Sequence, residues 1–345
     1  VSLALGGIVG CFVVALSFLV DAAAQVCSTY PWLVWLMPVA GLGTYGLYYV
    51  LHLIYSWSTA DVMLAAEKEE EIPAQLAPAV FFGTIMTILC GGSVGKEAAS
   101  LQIGASVGSV MGRWVPERYR PLLVPAAMAA ALGSMLNTPA LGVVFAFESL
   151  RQLPRSFAAV TIPVITSFAA WLISSHAGVC FIAPSISLSE IPLSPPEATL
   201  CALIVGVCAG ISALAFCLAL RGVHQGLAWL GAPVFALAVG GVLTALILGY
   251  ADLLHYEGVR TYCGTGAEQI ATALSGQPMV WWAFAAKALL TILTLAGGFK
   301  GGEIMPILAI GACAGVSMSM VVSPICGVSA VALQPVLSAV FMAAF

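Results

Sequence analysis

Charged side chains are scarce in this sequence. Lys, Arg, Asp and Glu together make up only 8% of the 345 residues, whereas soluble domains typically contain about 25%. This composition excludes an ordinary water-soluble protein, because its surface could not be covered with polar groups. The net charge of −4 is spread thinly along the chain and forms no basic patch, so we expect no nucleic-acid partner.

Histidine is also rare, and cysteine does not occur in metal-binding patterns. The four histidines are dispersed at His52, His176, His224 and His255, and the ten cysteines include no C-x-x-C pair. A metal centre or a nucleophile–base pair needs such residues in clusters. We therefore predict that the protein is not an enzyme and needs no cofactor. We interpret the cysteines as small apolar side chains of packed helices.

Long apolar runs make up most of the sequence. Hydrophobic residues make up 61% of the chain, and runs such as Leu33–Leu53 and Ala232–Tyr250 approach the roughly 20 residues that a bilayer-spanning helix needs. The 35 glycines and 19 prolines interrupt other runs, as is typical of membrane helices that pack closely or stop part-way across. We expect an all-α, multi-pass integral membrane protein surrounded by the lipid bilayer.

Two segments about half a chain apart resemble each other. Each contains a Gly-Gly pair, Gly91–Gly92 in the first and Gly297–Gly298 in the second. The two pairs are separated by a fixed number of positions, and Glu97 and Glu303 are separated by the same number. Such repeats are typical of transporters, whose substrate site lies near the membrane midplane where discontinuous helices from both halves meet. The sequence leaves open whether the repeats are parallel or inverted.

The chain therefore divides into two predicted transmembrane repeats. The first covers residues 1–175 and the second covers 198–345, joined by a less hydrophobic linker at 176–197 that is rich in Ser and Pro. The first repeat continues through Asn137–Pro139 into a further apolar helix, for which the second repeat has no counterpart. We expect the second repeat to be incomplete and the chain to be truncated at its C-terminus.

Glycine-rich breaks in both repeats are candidates for an ion site. The first glycine break is Gly91–Gly95 and the second glycine break is Gly297–Gly302, and an apolar helical run follows each. A helix that starts inside the membrane presents unpaired N–H groups and a positive dipole end, which suit an anion. The alternative is that the glycines only allow close packing, but two matched breaks with a carboxylate each favour the ion site.

Two kinds of polar side chain could act at this site. Glu97 follows the first glycine break, and an ionisable residue within the membrane indicates a function. Its carboxylate could occupy the anion site and leave on protonation, which would link proton binding to anion entry. A simple helix cap is the alternative. Ser58 and Thr59 precede another predicted helix, and their hydroxyls could either cap that helix or donate to an anion.

These residues lie in patterns that resemble the CLC family of anion channels and proton/anion antiporters. Gly95–Ala99 is similar to the family's G-(K/R)-E-G-P signature, and Gly302–Pro306 is similar to its G-I-F-A-P signature. Ser58–Val62 stands where the family's G-S-G-I-P is expected. The segment from Asn137 to Glu148 resembles the family's N-A-P…E-E helix. The resemblance extends over essentially the whole chain.

The resemblance implies roles for individual residues. Glu97 would gate the anion pathway and carry the proton, backbone amides of the two signatures would bind the anion, and the family's serine falls on Thr59. A homodimer with one pathway per subunit is also implied. The candidate anion-binding residues are Gly95, Lys96, Ala98, Ser58, Thr59, Gly302, Glu303, Ile304 and Met305.

Several departures from the family pattern leave the transported ion open. Ala98–Ala99 replaces Gly-Pro, Asp61 adds a carboxylate near the candidate hydroxyls, and Ser149 stands where many chloride/proton exchangers carry an inner glutamate. We expect the tyrosine of the family's inner gate to lie on a final helix that the truncation has removed. The second signature resembles the G-G-E-V-T-P of the fluoride-exporting subclass, but Met305 replaces its threonine.

We predict proton-coupled antiport of fluoride or chloride across a bacterial inner or plasma membrane, through a CLC-type pathway gated by Glu97. The transported partners would be a halide anion and protons. A passive chloride channel of the voltage-gated type is the alternative, because a carboxylate gate suits both. A non-transporting membrane scaffold is a further alternative, which would need neither Glu97 nor the paired glycine breaks.

Overall fold

The computed structural model describes residues 1–55, 57–149, 156–179, 195–253, 257–326 and 328–345. Over these residues the chain is almost entirely helical, and no β-strand occurs apart from one isolated bridge. The predicted all-α class is confirmed. The helices before residue 180 are α1 (Ser2–Thr29), α2 (Met37–Val50), α3 (Thr59–Glu67), α4 (Leu76–Leu89), α5 (Glu97–Gly112), α6 (Arg120–Met135), α7 (Pro139–Ser149) and α8 (Phe157–His176).

The second part of the chain continues with six further α-helices within the described ranges. They are α9 (Pro195–Ala228), α10 (Pro233–Leu253), α11 (Ala267–Leu274), α12 (Ala283–Ala296), α13 (Ile304–Cys326) and α14 (Ala330–Ala344). Three short 3-10 helices connect some of these elements, at Pro31–Leu36, Glu117–Tyr119 and Glu257–Tyr262.

The helices differ in length in a way that suits broken membrane spans. Six stretches of the described chain are long and apolar enough to cross a membrane, namely Ser2–Thr29, Pro31–Val50, Phe157–His176, Ala202–Ala228, Pro233–Ala251 and Ile304–Pro324. In contrast, α4 and α12 have 14 residues each and reach only about 21 Å, less than the ~30 Å of the hydrocarbon core. Each is followed by a glycine break, so the chain turns inside the apolar layer.

Small side chains let the helices around the first glycine break pack closely. Every residue of Ala126–Ala131 in α6 is fully buried, and α6 packs against α5 and α8. Close van der Waals packing of this kind is a main source of helix association in lipid, because lipid tails are as apolar as the helices. The multi-pass membrane protein predicted from the composition is confirmed.

The pairing of helices is alike in the two halves. In the first half α5 packs along α6, and in the second half α13 packs along α14. The helices that follow the two glycine breaks, α5 and α13, therefore have equivalent partners. The predicted linker at 176–197 lies largely outside the described residues, so the division into 1–175 and 198–345 stays a prediction.

Candidate anion-binding site

The two glycine breaks meet at one pair of residues. The N–H of Gly95 donates to the carbonyl of Gly302 at 2.6 Å, and the N–H of Gly302 donates back to the carbonyl of Gly95 at 2.7 Å. This isolated antiparallel bridge brings the first residues of α5 and α13 together. The discontinuous helices that the sequence predicted in both halves do lie side by side.

Glycine leaves space at both bridged positions, and at Gly302 the neighbouring backbone leaves no room for a side chain. A Cβ at Gly302 would lie 2.9 Å from the backbone nitrogen and the Cβ of Ala98, and a Cβ at Gly95 would lie 2.4 Å from Oε2 of Glu97. Real Cβ atoms do not tolerate such distances. The absence of side chains at these positions is therefore what allows the two helix ends and the Glu97 carboxylate to come this close.

Glu97 is buried at the junction of the two helix ends. Its side chain is only 2% exposed, and its Oε2 atom has no hydrogen-bond partner among the described residues. The backbone amides of Lys96, Glu97 and Met305 interact with its carboxylate, so both helix N-termini contribute. A buried polar atom without a partner is costly, and here it lies where helix dipoles favour a negative charge.

The second helix end contributes Ile304 and Met305. These are the first two residues of α13, whose first-turn N–H groups have no acceptor within the helix. Met305 is 3% exposed, and its Cβ lies 3.2 Å from the position that a Cβ on Gly95 would take. Ala98 is similarly buried in the first turn of α5. The structure thus places Gly95, Ala98 and Met305 around the Glu97 carboxylate.

Lys96 points away from this junction. Its ammonium donates to Ser17 Oγ at 2.6 Å and to Asp21 Oδ1 at 3.0 Å, both on α1. The charge of Lys96 is therefore paired with Asp21, and only its backbone N–H is directed at the Glu97 carboxylate. Lys96 could therefore act at this site through its backbone N–H and through the electrostatic effect of its charge on the Glu97 carboxylate.

Ser58 and Thr59 turn out to be engaged differently. Ser58 caps α3, because Asp61 N–H donates to its hydroxyl at 3.2 Å, and the hydroxyl in turn donates to Asp61 Oδ2 at 2.6 Å. Asp61 also accepts from the backbone N–H of Ser58, which completes a capping box. The carboxylate that departs from the family pattern is therefore used to begin α3. Because the Ser58 hydroxyl donates its only hydrogen bond to Asp61, it cannot also donate one to an anion.

Thr59 is better placed to bind an anion than Ser58. Its Oγ1 accepts a hydrogen bond of 2.9 Å from Nε2 of Gln102, which lies on α5 beyond Glu97. Accepting this bond leaves the Thr59 O–H proton available as a donor. Gln102 itself was not predicted as a site residue. Its Oε1 is buried without a partner in the described structure, which marks it as part of a polar site.

A cavity of about 860 Å³ reaches the same region. Its lining includes Ser58, Thr59, Ala98 and Gln102. It also includes every residue from Leu295 to Ile304 except Gly302, and therefore Glu303. Glu97 is not among the residues that line this cavity, and it lies behind Ala98 at the Gly95–Gly302 bridge. The cavity wall therefore lies next to the residue whose carboxylate is the candidate gate.

Two lysines, Lys287 and the partly buried Lys300, were also missed by the sequence analysis. Lys300 in the second glycine break donates to the carbonyls of Tyr55 and Trp57. Lys287 in α12 is fully buried and donates to the carbonyls of Tyr262 and Gly264. The argument that singled out Glu97, an ionisable residue in an apolar run, could have found Lys287 as well.

The position of the family's inner glutamate carries no acid here. Ser149 ends α7, and its hydroxyl donates to the carbonyl of Phe145 in the same helix at 2.8 Å. Such a bond is an ordinary contact of a helical serine. Glu148 beside it is exposed.

Within the described residues, no group of three or more His, Cys, Asp or Glu side chains is arranged to hold a metal ion.

Comparison with known proteins places the chain among membrane anion proteins. The model of the voltage gated chloride channel family matches residues 53–345. A chloride/fluoride channel protein of Pseudomonas syringae pv. tomato (strain ATCC BAA-871 / DC3000) is 29% identical over 331 residues, which are 91% of this chain and 70% of the relative.

Solved structures share the architecture. The crystal structure of a CLC-type fluoride/proton antiporter is 26% identical with a TM-score of 0.84, covering 99% of this chain and 85% of its own. That of a slow cyanobacterial chloride/proton antiporter is 20% identical with a TM-score of 0.75, covering 99% of this chain and 88% of its own. At 20% identity, the likeness to the chloride/proton antiporter concerns the fold alone.

Proposed function

Because this chain belongs to the voltage-gated chloride channel family, we propose that it carries a halide anion across the membrane in exchange for protons, with Glu97 as the gate. The observation that carries this proposal is the position of the Glu97 carboxylate. It is buried, one oxygen has no hydrogen-bond partner among the described residues, and it lies where two helix N-termini meet. The similarity to a fluoride/proton antiporter supports the same function.

The proposed cycle starts with the ionised Glu97 carboxylate in the anion position. It lies against the amides of α5 and α13, and in this proposal it closes the path that leads from the cavity. Protonation removes the negative charge that the helix ends favour, so the side chain can leave. An anion that enters from the cavity then takes its place at the same amides. The site holds either the charged carboxylate or the anion, which couples the two ions.

On the cavity side, the anion would meet donors before it reaches the bridge. The Thr59 hydroxyl, oriented by Gln102, is one of them, and the backbone N–H groups of Ile304 and Met305 are the next. Glu303 lines the cavity and is exposed, so its side chain could repel an anion when charged. We assign its contribution to the backbone at the start of α13.

Fluoride is the proposed first substrate, with chloride as the competing choice. Gly301, Gly302 and Glu303 share the Gly-Gly-Glu framework of the fluoride-exporting subclass, and the structure that matches at 26% identity is a fluoride/proton antiporter. Met305 opposes this assignment, because a thioether donates no hydrogen bond. Fluoride is strongly hydrated, so a selective site needs strong donors to replace its water.

A passive chloride channel is the second candidate function. The curated relative from Pseudomonas syringae is named a channel, and a carboxylate that only opens and closes the path would satisfy the same geometry. A channel would move anions without stoichiometric proton flow.

We also propose a homodimer with one pathway per subunit, in which exposed apolar residues of α7 and α8, such as Leu141 and Phe168, are candidates for the contact.

The deciding experiment uses the protein reconstituted into proteoliposomes loaded with equal fluoride and chloride. Efflux of each ion is followed by electrode while internal pH is recorded. We expect fluoride to leave faster than chloride, with proton uptake. In Glu97→Gln the proton uptake should disappear, since the amide carries no titrating proton. Glu70→Gln, in the exposed segment after α3, is the matched control and should behave as the unchanged protein does.

The other outcomes distinguish the alternatives. Anion flux that ignores an imposed proton gradient would make the protein a passive channel. Chloride efflux as fast as fluoride efflux would assign it to the chloride transporters. If neither ion moved and Glu97→Gln changed nothing, the scaffold alternative would be correct.

A further inference from the structure

Lys300 joins the second glycine break to the start of α3. Its Nζ donates to the carbonyl of Tyr55 at 2.6 Å and to the carbonyl of Trp57 at 3.3 Å. These carbonyls belong to the segment that leads into Ser58, the cap of α3. A single side chain from the second half of the sequence therefore holds the polypeptide that presents Thr59 to the cavity.

Two tyrosine rings surround the same ammonium. Lys300 Nζ lies 4.6 Å from the ring centroid of Tyr48 and 4.2 Å from that of Tyr55, within the range of a cation–π interaction. The hydroxyl of Tyr55 donates in the opposite direction, to the carbonyl of Gly298 at 2.9 Å. Lys300 and Tyr55 thus each bind the backbone of the other's segment, and the connection is reciprocal.

The charge of Lys300 is not neutralised by an ion pair in the described part of the chain. Asp61 interacts with it electrostatically at longer range, but the Asp61 carboxylate already accepts hydrogen bonds from Ser58. Lys300 also lines the cavity together with Thr59. Even a partly buried charge is stabilised by a nearby opposite charge, so a cation at this place suits a site that an anion enters and leaves.

We propose that Lys300 is a positioning residue that sets the affinity of the anion site from the cavity side. It holds the Thr59 end of α3 in place and supplies a fixed positive charge on the wall that the anion passes. This inference rests on the proposed anion transport. At an effective dielectric constant of about 20, one such charge within about 8 Å of an anion would change the occupancy of that anion by more than tenfold. The other charged or titratable groups of the wall are Tyr55, Arg221, His224 and Glu303.

Three substitutions separate the charge from the hydrogen bonds. Lys300→Arg keeps the charge, Lys300→Gln keeps an N–H donor without the charge, and Lys300→Met keeps neither. Initial rates of fluoride and chloride uptake into proteoliposomes are measured against anion concentration. We expect the Gln and Met variants to raise KM at least tenfold with the maximal rate within about threefold, and the Arg variant to stay within about threefold in both. Lys68→Met, at the exposed end of α3, is the matched control.

Other results would overturn the assignment. An unchanged KM in Lys300→Met, whatever its maximal rate, would reduce Lys300 to a framework contact. A normal KM in Lys300→Gln together with a raised KM in Lys300→Met would assign the effect to the hydrogen bonds and not to the charge. Anion Kd values of the purified variants, taken only from monodisperse samples, provide a second readout.

The two proposals fail separately in this design. If the unchanged protein transports neither anion, the proposed function is wrong, and the Kd series with fluoride and chloride still decides whether Lys300 sets anion affinity. If the unchanged protein transports and the Lys300 variants keep its KM and Kd, only the inference about Lys300 is wrong.

Discussion

Gly95 and Gly302 exchange two backbone hydrogen bonds, and this pair joins the two halves of the chain at the candidate anion site. The bridge holds the first turns of α5 and α13 side by side, so the unpaired N–H groups of both helices are close to the same small volume. The Glu97 carboxylate occupies that volume. The candidate anion site is thus formed largely by backbone groups, which need no compensating positive side chain within the membrane.

We expect Gly302→Ala to destabilise the protein by about 1–3 kcal/mol, because the new Cβ would lie 2.9 Å from Ala98 in a packed region. The apparent melting temperature in detergent, followed by size-exclusion chromatography, measures this effect. Gly206→Ala in α9 is the control, since a Cβ there meets nothing within 4 Å. It should leave the melting temperature unchanged or raise it. Equal melting temperatures of the two variants would contradict the importance of the bridge.

Thr59→Val and Ser58→Ala should have opposite signatures. Thr59→Val removes the donor that Gln102 orients, so we expect a KM for the anion that is raised several-fold with little loss of stability. Ser58→Ala removes the cap of α3 and should cost about 1 kcal/mol of stability while leaving KM near its normal value. Uptake kinetics and thermal melting of both variants test this. A raised KM in Ser58→Ala alone would reverse the assignment of the two hydroxyls.

Met305→Thr should increase the preference for fluoride over chloride. The new hydroxyl would add a donor at the start of α13, next to Gly95 and the Glu97 carboxylate, and a small hydrated anion gains most from an added donor. We expect the ratio of fluoride to chloride flux to rise several-fold. Met305→Leu, which conserves volume and adds no donor, is the control. An equal ratio of fluoride to chloride flux in both variants would show that residue 305 does not determine anion selectivity.

Lys287→Met should destabilise the protein without changing anion selectivity. The substitution keeps an unbranched side chain but leaves the carbonyls of Tyr262 and Gly264 without their present donor, at a cost of about 1–3 kcal/mol for each buried group. The N–H of Gly264 donates to the carbonyl of Gly92 in the first glycine break, so some loss of transport rate is expected as well. Thermal melting compared with Lys68→Met measures the cost. An altered fluoride to chloride ratio would place Lys287 on the anion path instead.

Local pattern was sufficient for the parts of the site that lie within one segment. The glycine breaks, the start of α5 at Glu97 and the start of α13 at Ile304 are all set by neighbouring residues, through backbone freedom at glycine and the periodicity of the apolar runs. For the same reason the all-α class and the multi-pass character followed from composition. The assignment of Ser58 as a cap was left open, because the hydroxyl's partner, Asp61, could also have faced the anion.

Contacts between distant segments were not predictable in this way. Nothing in the sequence indicates that Lys300 reaches the carbonyl of Tyr55 or that Gln102 reaches the hydroxyl of Thr59. The partner of the Lys96 side chain is a further example. It pairs with Asp21 on α1, because the backbone at the start of α5 directs successive side chains to different faces. The contribution of Lys96 to the anion site stays a prediction.

The sequence by itself determined which segments are apolar helices, where they break and which carboxylate stands at a break, since these depend on residue type and local spacing. Only the tertiary structure decided that the two breaks bridge through Gly95 and Gly302, that Glu97 is left with an unpartnered oxygen, and that Lys300 holds the start of α3. Those relationships depend on how helices far apart in the sequence pack. Packing is decided by shape and hydrogen bonding between distant residues, which no local pattern records.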